Sequence, residues 1–286
     1  MGSNKSKRKL DIVVISDVHL GTYGCHAKEL LKYLKSINPK TVVLNGDIID
    51  VWQFSKRYWP KSHMKVIKYL INLSSQGKEI YYITGNHDEM LRKFVGFELG
   101  SLSIKNKLVL ELDNKKAWFF HGDVFDVIMK HSKWLARLGS VGYDVLILLN
   151  KAVNYFSSLM GKGKISLSKK IKDSVKTAVK FINNFEDTAV KIAIENNFDF
   201  VVCGHIHKPT IKKVITEKGN VTYLNSGDWV ENLTALEYSK KEWVIYKYDD
   251  SHYKKEVEES NLEQDVIDKT SKEIFGELVA DFRFNN

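Results

Sequence analysis

Cysteine is nearly absent from this chain of 286 residues, which carries only Cys25 and Cys203. Two thiols build no disulfide framework, so a reducing, cytoplasmic setting is expected. Proline is scarce at three residues, and no internal repeat is present, which excludes a collagen-like chain. Long apolar runs are also missing. The longest, Val145–Leu149, has five residues, whereas a membrane-spanning helix needs roughly 20. No apolar stretch follows the N-terminus, so a secretory leader is not expected. What is present is ordinary globular material, 43% hydrophobic and 28% charged, enough for one large domain or two small ones.

The net charge of +9 is unevenly spread. From Asp249 onward, 11 acidic residues face 5 basic ones, a net of −6, so the preceding residues carry +15. Asn150–Lys180 holds eight lysines, Lys169 among them, against the single acid Asp173. Such an excess attracts phosphates, nucleic acid or anionic lipid, and a solvated helix face gives the same pattern. Residues 1–9 read as a flexible basic arm, in which Gly2 and Ser6 fit the form of an N-myristoylation site.

Short apolar, β-branched runs ending in Gly, Asp or Asn predict strands at Leu10–Ser16, Thr41–Gly46, Glu79–Gly85, Ala117–Gly122 and Phe198–Gly204. Helical spacing falls between them at Ala27–Ser36 and His63–Gln76. This alternation predicts an α/β fold. Val221–Ser226, Leu233–Ser239 and Glu242–Tyr248 read as antiparallel strands, the last two joined by a turn at Lys240–Lys241. The stretch 124–197 breaks the alternation and reads as a helical insertion, divided near Gly161 and Gly163. The acidic tail 249–286 is expected to be partly helical.

The strand ends carry the chemistry. They read Ser16-Asp17-Val18-His19, Gly46-Asp47-Ile48-Ile49-Asp50, Gly85-Asn86-His87-Asp88, His121-Gly122-Asp123 and Gly204-His205-Ile206-His207. Ligands of open α/β sheets bind beyond the carboxyl ends of the strands, so five strand ends deliver carboxylate, imidazole and amide groups to one edge. Asp17 and His19, like His205 and His207, are two apart and face the same way if the backbone is extended. Glycines before Asp47, Asn86 and His205 leave room for close backbone approach. Cys203 reads as a small buried apolar residue. A mixed N/O donor set suits first-row transition metals. Seven donors, Asp17, His19, Asp47, Asn86, His121, His205 and His207, exceed what one ion uses and fit two ions sharing a bridging carboxylate, an arrangement that activates water and clamps a phosphoryl group.

The ordered set of five blocks, from Leu10 to about Tyr248, resembles the calcineurin-like metallophosphoesterases. The resemblance implies the metallo-dependent phosphatase fold, a β-sandwich flanked by helices (α/β/β/α), here with a helical cap insertion in a domain spanning 10–248. It implies that Asp17, His19 and His207 hold one divalent ion, that Asn86, His121 and His205 hold the other, and that Asp47 bridges them. The expected ions are Mn2+, with Fe or Zn as alternatives. The resemblance also implies that His87 contacts the phosphate and stabilises or protonates the leaving oxygen, oriented by Asp88, while Asp50 and Asp123 read as acceptors that orient ligands from behind.

Within that superfamily the Ser16–Gly21 opening and the long insertion between His121 and His205 look most like the UDP-2,3-diacylglucosamine hydrolase group of lipid A biosynthesis. That likeness implies an acylated nucleotide-sugar substrate, cleaved to UMP and the acylated sugar phosphate. It also implies a peripheral position on an anionic membrane surface at the cytoplasmic face of the inner membrane, with no nucleic acid as partner. Arg137 and Lys169 of the insertion are candidate diphosphate contacts. Relatives of this group often carry Arg where His87 stands, so the diphosphate contact is expected to differ. A phosphodiesterase or nuclease is the competing enzymatic reading, and a non-catalytic scaffold ranks last because all seven donors are present. His26, His63, His131 and His252 read as surface or core residues. Trp52, Phe54, Arg57 and Trp59 either line the cleft or pack, and Asn225–Trp229 lies at a strand end that approaches the site without assigned chemistry.

Overall fold

The computed structural model describes residues 7–51, 59–125, 182 and 184–253. The chain divides into two units, Met1–Lys247 and Tyr248–Asn286. The second is described over Tyr248–Tyr253 only, a short 3-10 turn whose two tyrosine rings stack 5.1 Å apart. Arg137, Lys169 and most of the stretch 124–197 lie outside the described residues, as do the basic arm up to residue 6 and the tail beyond 253.

In the first unit the elements run β1 (Arg8–Ile15), α1 (Ala27–Ser36), β2 (Ile37–Asn45), α2 (Lys61–Ser75), β3 (Glu79–Ile83), β4 (Glu98–Leu99), β5 (Leu102–Lys105), β6 (Leu108–Leu112) and β7 (Lys115–Phe119). They continue with α3 (184–195), β8 (Phe200–Cys203), β9 (Thr210–Thr216), β10 (Gly219–Asn225), β11 (Thr234–Ser239) and β12 (Glu242–Lys247). One sheet has the order β12-β11-β1-β2-β3-β5-β4 and the other β6-β7-β8-β10-β9. Strands β1, β2, β3 and β5 run parallel, as do β7, β8 and β10, so their carboxyl ends gather on a common edge within each sheet.

The apolar-on-both-faces pattern follows from this layering. In β1, Ile12 and Val14 enter a core shared with Val43 and Ile83 of the same sheet and with Phe119, Phe200, Val202 and Leu224 of the other. Their neighbours Val13 and Ile15 are buried equally deeply, at 0% and 1% exposure, on the opposite face. Each fully buried Val or Ile side chain contributes roughly 1.5–3 kcal/mol, which specifies the register because a one-residue slip exchanges the two faces.

Helices α1 and α2 cover the outer face of the first sheet. Tyr33 of α1 is fully buried, stacks on Tyr246 of β12 at 4.3 Å and donates its hydroxyl to Glu237 of β11. Tyr69 of α2 donates to the Leu34 carbonyl at 3.2 Å, tying the two helices together. On the second sheet α3 lays Phe185, Ala189, Val190 and Ala193 over Val201, Cys203, Val221 and Tyr223. The result is an α/β/β/α sandwich.

Four strands, β4, β5, β6 and β9, were not anticipated. Three of them, β4, β6 and β9, form sheet edges. None has the apolar run on both faces that marked the others: β9 reads intermediate-exposed-exposed-exposed-intermediate-exposed-exposed along its length. The turn at Lys240–Lys241 is present, and both residues have left-handed φ, 52° and 67°, as a two-residue hairpin requires.

Candidate metal centre

The loops leaving β1, β2 and β3 in one sheet and β7 and β8 in the other meet at one edge of the sandwich. Backbone hydrogen bonds lock them together. Asp17 N–H donates to the Gly46 carbonyl at 3.1 Å, and Val18 and His19 N–H both donate to the Asp47 carbonyl. Gly204 N–H donates to the His121 carbonyl at 3.0 Å. The buried Asp17 and Asp47 carboxylates are each held by one oxygen. His205 N–H donates to Asp17 Oδ2 at 3.0 Å, and His87 N–H donates to Asp47 Oδ1 at 2.7 Å. The second oxygens, Asp17 Oδ1 and Asp47 Oδ2, are thereby aimed at imidazoles, lying 3.2 Å from His207 Nε2 and His121 Nε2 respectively.

This convergence requires backbone that L-residues avoid. Asp17, His19, Asp47, His205 and His207 all have left-handed φ between 51° and 67°, at about 1 kcal/mol or more each. The extended-backbone expectation for the pairs Asp17/His19 and His205/His207 is therefore corrected. Asp17 and His19 converge through two left-handed residues, and His205 and His207 diverge into different groups. Ligand-type atoms of Asp17, His19 and His207 lie within 4.8 Å of one another, as do those of Asp47, His121 and His205, and those of His19, Asp50 and His87. The space is bought with glycine: a Cβ on Gly85 would sit inside the Asp47 carboxylate, and one on Gly204 would collide with Asp17 Oδ2 and the Ser16 side chain.

The imidazoles share one orientation. His121 Nδ1 lies 2.9 Å from the Asn45 carbonyl, so it must carry the proton and donate, which leaves Nε2 as the inward lone pair. His19 Nδ1 lies 3.5 Å from Asp50 Oδ2, and His207 Nδ1 lies 4.0 Å from Asp228 Oδ2. Four inward atoms, Asp17 Oδ1, His19 Nε2, Asn86 Oδ1 and His121 Nε2, are buried without a hydrogen-bond partner. Orphaned acceptors in one buried cluster are costly unless a cation meets them, and a set of imidazole nitrogens with carboxylate and amide oxygens fits divalent first-row metals.

The electrostatics point the same way. Burial alone raises the Asp17 carboxyl, but the charges and contact of His207 and His121 outweigh it and hold it at about 2. Asp47 is likewise pulled well below the usual range, against its burial, mainly by His121. Burial lowers His207 and His121, yet Asp17 lifts the first to about 9 and Asp47 lifts the second well above its ordinary value. Each pair is built to hold positive charge between its members.

The roles of two acids are corrected by their partners. Asp88 does not orient His87. Its Oδ1 accepts from Gly85 N–H at 2.6 Å, and its Oδ2 accepts from Ile48 N–H and the Tyr82 hydroxyl, so it shapes the turn. The carboxylate on His87 Nδ1 is Asp50, at 2.9 Å. Asp123 pairs with Arg92, not with an imidazole, among the described residues. The sequence reading also passed over Asp228, which approaches His207 while its Oδ1 accepts from the N–H groups of Val230 and Asn232. Its signal was present: Asn225-Ser226-Gly227-Asp228 repeats the pattern of an acid just beyond a strand. Of the residues not promoted, His63 is buried at 2% exposure with Nδ1 accepting from Gly21 N–H at 2.9 Å. Trp52, Phe54 and Arg57 lie outside the described residues.

Residues 10–209 match the family model of the calcineurin-like phosphoesterases. The chain belongs to that family. It is a metal-dependent phosphoester hydrolase, and its family uses divalent metals. Curated relatives named UDP-2,3-diacylglucosamine hydrolase include one from Blochmanniella pennsylvanica, 25% identical over 81% of this chain and 93% of its own length. Another, from Aliivibrio fischeri, is 23% identical over 83% of this chain and 98% of its own. Solved structures that overlap it include an archaeal phosphodiesterase, 16% identical with a TM-score of 0.40 over 82% of this chain and 98% of its own. A dimetal phosphatase from Danio rerio is 13% identical with a TM-score of 0.40 over 83% and 95%. No helix among the described residues is long and apolar enough to cross a membrane.

Proposed function

We propose that this hydrolase cleaves the diphosphate of UDP-2,3-diacylglucosamine to UMP and 2,3-diacylglucosamine 1-phosphate. The observation that carries the chemistry is the cluster of buried, unpartnered donor atoms on Asp17, His19, Asn86 and His121. In this reading Asp17, His19 and His207 hold one ion, Asn86, His121 and His205 hold the other, and Asp47 lies between them. Two divalent ions, Mn2+ in the first instance, would supply charge to the phosphoryl oxygens and acidify water. The likeness to the named relatives over about four-fifths of the chain supports the substrate.

The chain's own residues do the rest. Asp50 Oδ2 accepts from His87 Nδ1 at 2.9 Å, which fixes the ring and frees Nε2 for the substrate in this reading. Burial lowers the His87 imidazole, but the Asp50 hydrogen bond and the Asp47 charge outweigh it and raise it, which favours the protonated ring. As water adds to the UMP-side phosphorus and the P–O bond breaks, His87 Nε2–H meets the departing oxygen. Beside this centre the segment Lys93–Gly100 is exposed throughout and includes Phe94 at 51%, Phe97 at 51% and Leu99 at 64%. Together with Lys93 it supports a peripheral position on an anionic bilayer.

The test is UMP release from UDP-2,3-diacylglucosamine by the full chain with Mn(II). Asp47→Ala and His121→Ala should each reduce it by at least about 10²-fold, a loss of roughly 2.7 kcal/mol or more of transition-state stabilisation. Turnover of bis(p-nitrophenyl) phosphate without UMP release from the lipid would remove the substrate and keep the chemistry. Full activity in either variant would remove the site.

A further inference from the structure

A diphosphate substrate has two charged groups, and the cluster just described accounts for one. Asp17, Asp47 and the imidazoles leave the other phosphate to a cation of the protein itself. Among the described residues four cationic side chains follow a donor block within five residues, Arg92, Lys93, Lys208 and Lys212, and of these Lys93 is exposed. Lys208 follows His207 directly, but its Nζ lies 3.1 Å from Glu186, a carboxylate only 4% exposed. Lys212 reaches the same carboxylate at 3.3 Å. Both ammonium groups are tied to the α3 side of the second sheet.

Arg92 is placed differently. It lies on the 3-10 turn Glu89–Phe94, directly after the Gly85–Asp88 loop. Its Nη2 reaches back to the Gly85 carbonyl, one peptide before Asn86, at 3.5 Å, and across to Asp123, two residues after His121. The guanidinium thus spans the two loops that bring Asn86 and His121 to the centre. Both of its contacts fall on Nη2. Nε is buried and has no hydrogen-bond partner, and among the described residues Nη1 has none either. The side chain as a whole is 37% exposed. With Nη2 held by Asp123 and the Gly85 carbonyl and Nε buried, the donor left accessible is Nη1, which can give a charge-assisted hydrogen bond to a phosphate oxygen.

We propose that Arg92, set in place by Asp123 and the Gly85 carbonyl, is the subsite for the second phosphate of the diphosphate, the one that leaves with the sugar. This rests on the diphosphate reading above and adds a residue to it. The carboxylate of Asp123 is a positioning group in this arrangement, because it touches the guanidinium rather than the substrate.

The experiment is calorimetric binding of uridine α,β-methylene diphosphate and of UMP to the full chain loaded with Mn(II), which needs no turnover. The wild-type protein should bind the diphosphate analogue more tightly than UMP. Loss of a charge-assisted contact in Arg92→Ala should weaken the analogue about 10- to 100-fold and UMP by less than about threefold. Arg92→Lys keeps the charge but not the fork and should fall between, as should Asp123→Asn, which frees the guanidinium to turn. Arg92→Lys therefore decides the matter should the alanine variant not fold. Equal weakening of both ligands would make Arg92 a strut between two loops and overturn the subsite, as would wild-type protein that does not discriminate between them. Failure to release UMP from the acylated substrate, with this discrimination intact, would instead sink the lipid reading alone.

Discussion

At the scale of single residues, the seven donors were legible because each follows a strand directly, and the fold carries strand ends to one edge whatever lies between them. Six of the seven fall in two close groups, Asp17, His19 and His207, and Asp47, His121 and His205. What stood behind them was not legible. Asp50 and Asp88 are both close to His87 in the reading, and the choice between them is made by Gly85 and Ile48 N–H groups that occupy Asp88 first. The Asn45 carbonyl behind His121 is a main-chain group, which no residue type announces. His63 shows the same limit, since it was read as incidental yet holds the loop after His19 through Gly21. Its burial lowers its pKa below the ordinary value, so the folded state favours the neutral ring. That stability is present above about pH 6.5, the unfolded value, and is lost as pH falls from there towards the lower folded one. His63→Leu leaves the Gly21 N–H unmet and should cost about 1–3 kcal/mol. Melting curves at pH 7.5 and pH 5 check this: the gap between wild type and variant should be wider at pH 7.5 and narrow at pH 5. A gap independent of pH would show that protonation of His63 does not matter to the fold.

At the scale of elements, periodicity located α1 and the buried parallel strands because burial on both faces writes itself into consecutive residues. Edge strands carry no such imprint. β4 has two residues and β9 is largely exposed, so their pairing comes from neighbours, not from their own side chains. The loops between elements carry a finer requirement, which is the absence of a side chain at Gly85. Gly85→Ala places a methyl group against the Asp47 carboxylate and backbone nitrogen. Local relief would cost about 1–3 kcal/mol. Activity should fall further than stability does, by at least about 10²-fold, because Asp47 is a member of the donor group with His121 and His205. Circular dichroism and phosphodiester turnover on the same preparation separate the two effects. Wild-type turnover would mean that the turn gives way without moving Asp47.

At the scale of the whole molecule, the α/β/β/α layering followed from the resemblance, while strand order did not, since three of the edge strands were unseen. The donors are divided between the layers: Asp17, His19, Asp47 and Asn86 follow strands of one sheet, and His121, His205 and His207 follow strands of the other. A cation held between them binds the native state and not the unfolded chain, so Mn(II) at 100 times its dissociation constant should add about 2.7 kcal/mol. The melting temperature should rise with Mn(II), fall with a chelator, and lose most of this response in Asp47→Ala; an equal response in the variant would place the binding elsewhere. The two sheets meet through interdigitated apolar side chains, such as Val14 against Val202, and a few hydrogen bonds, such as Asn45 Nδ2 to the Phe120 carbonyl, which resist shear less well than covalent links do. Donors on opposite sides of that seam make the centre a gauge of its alignment. A conservative change far from any phosphate, such as Val202→Ala, can therefore mistune catalysis by letting one layer creep past the other.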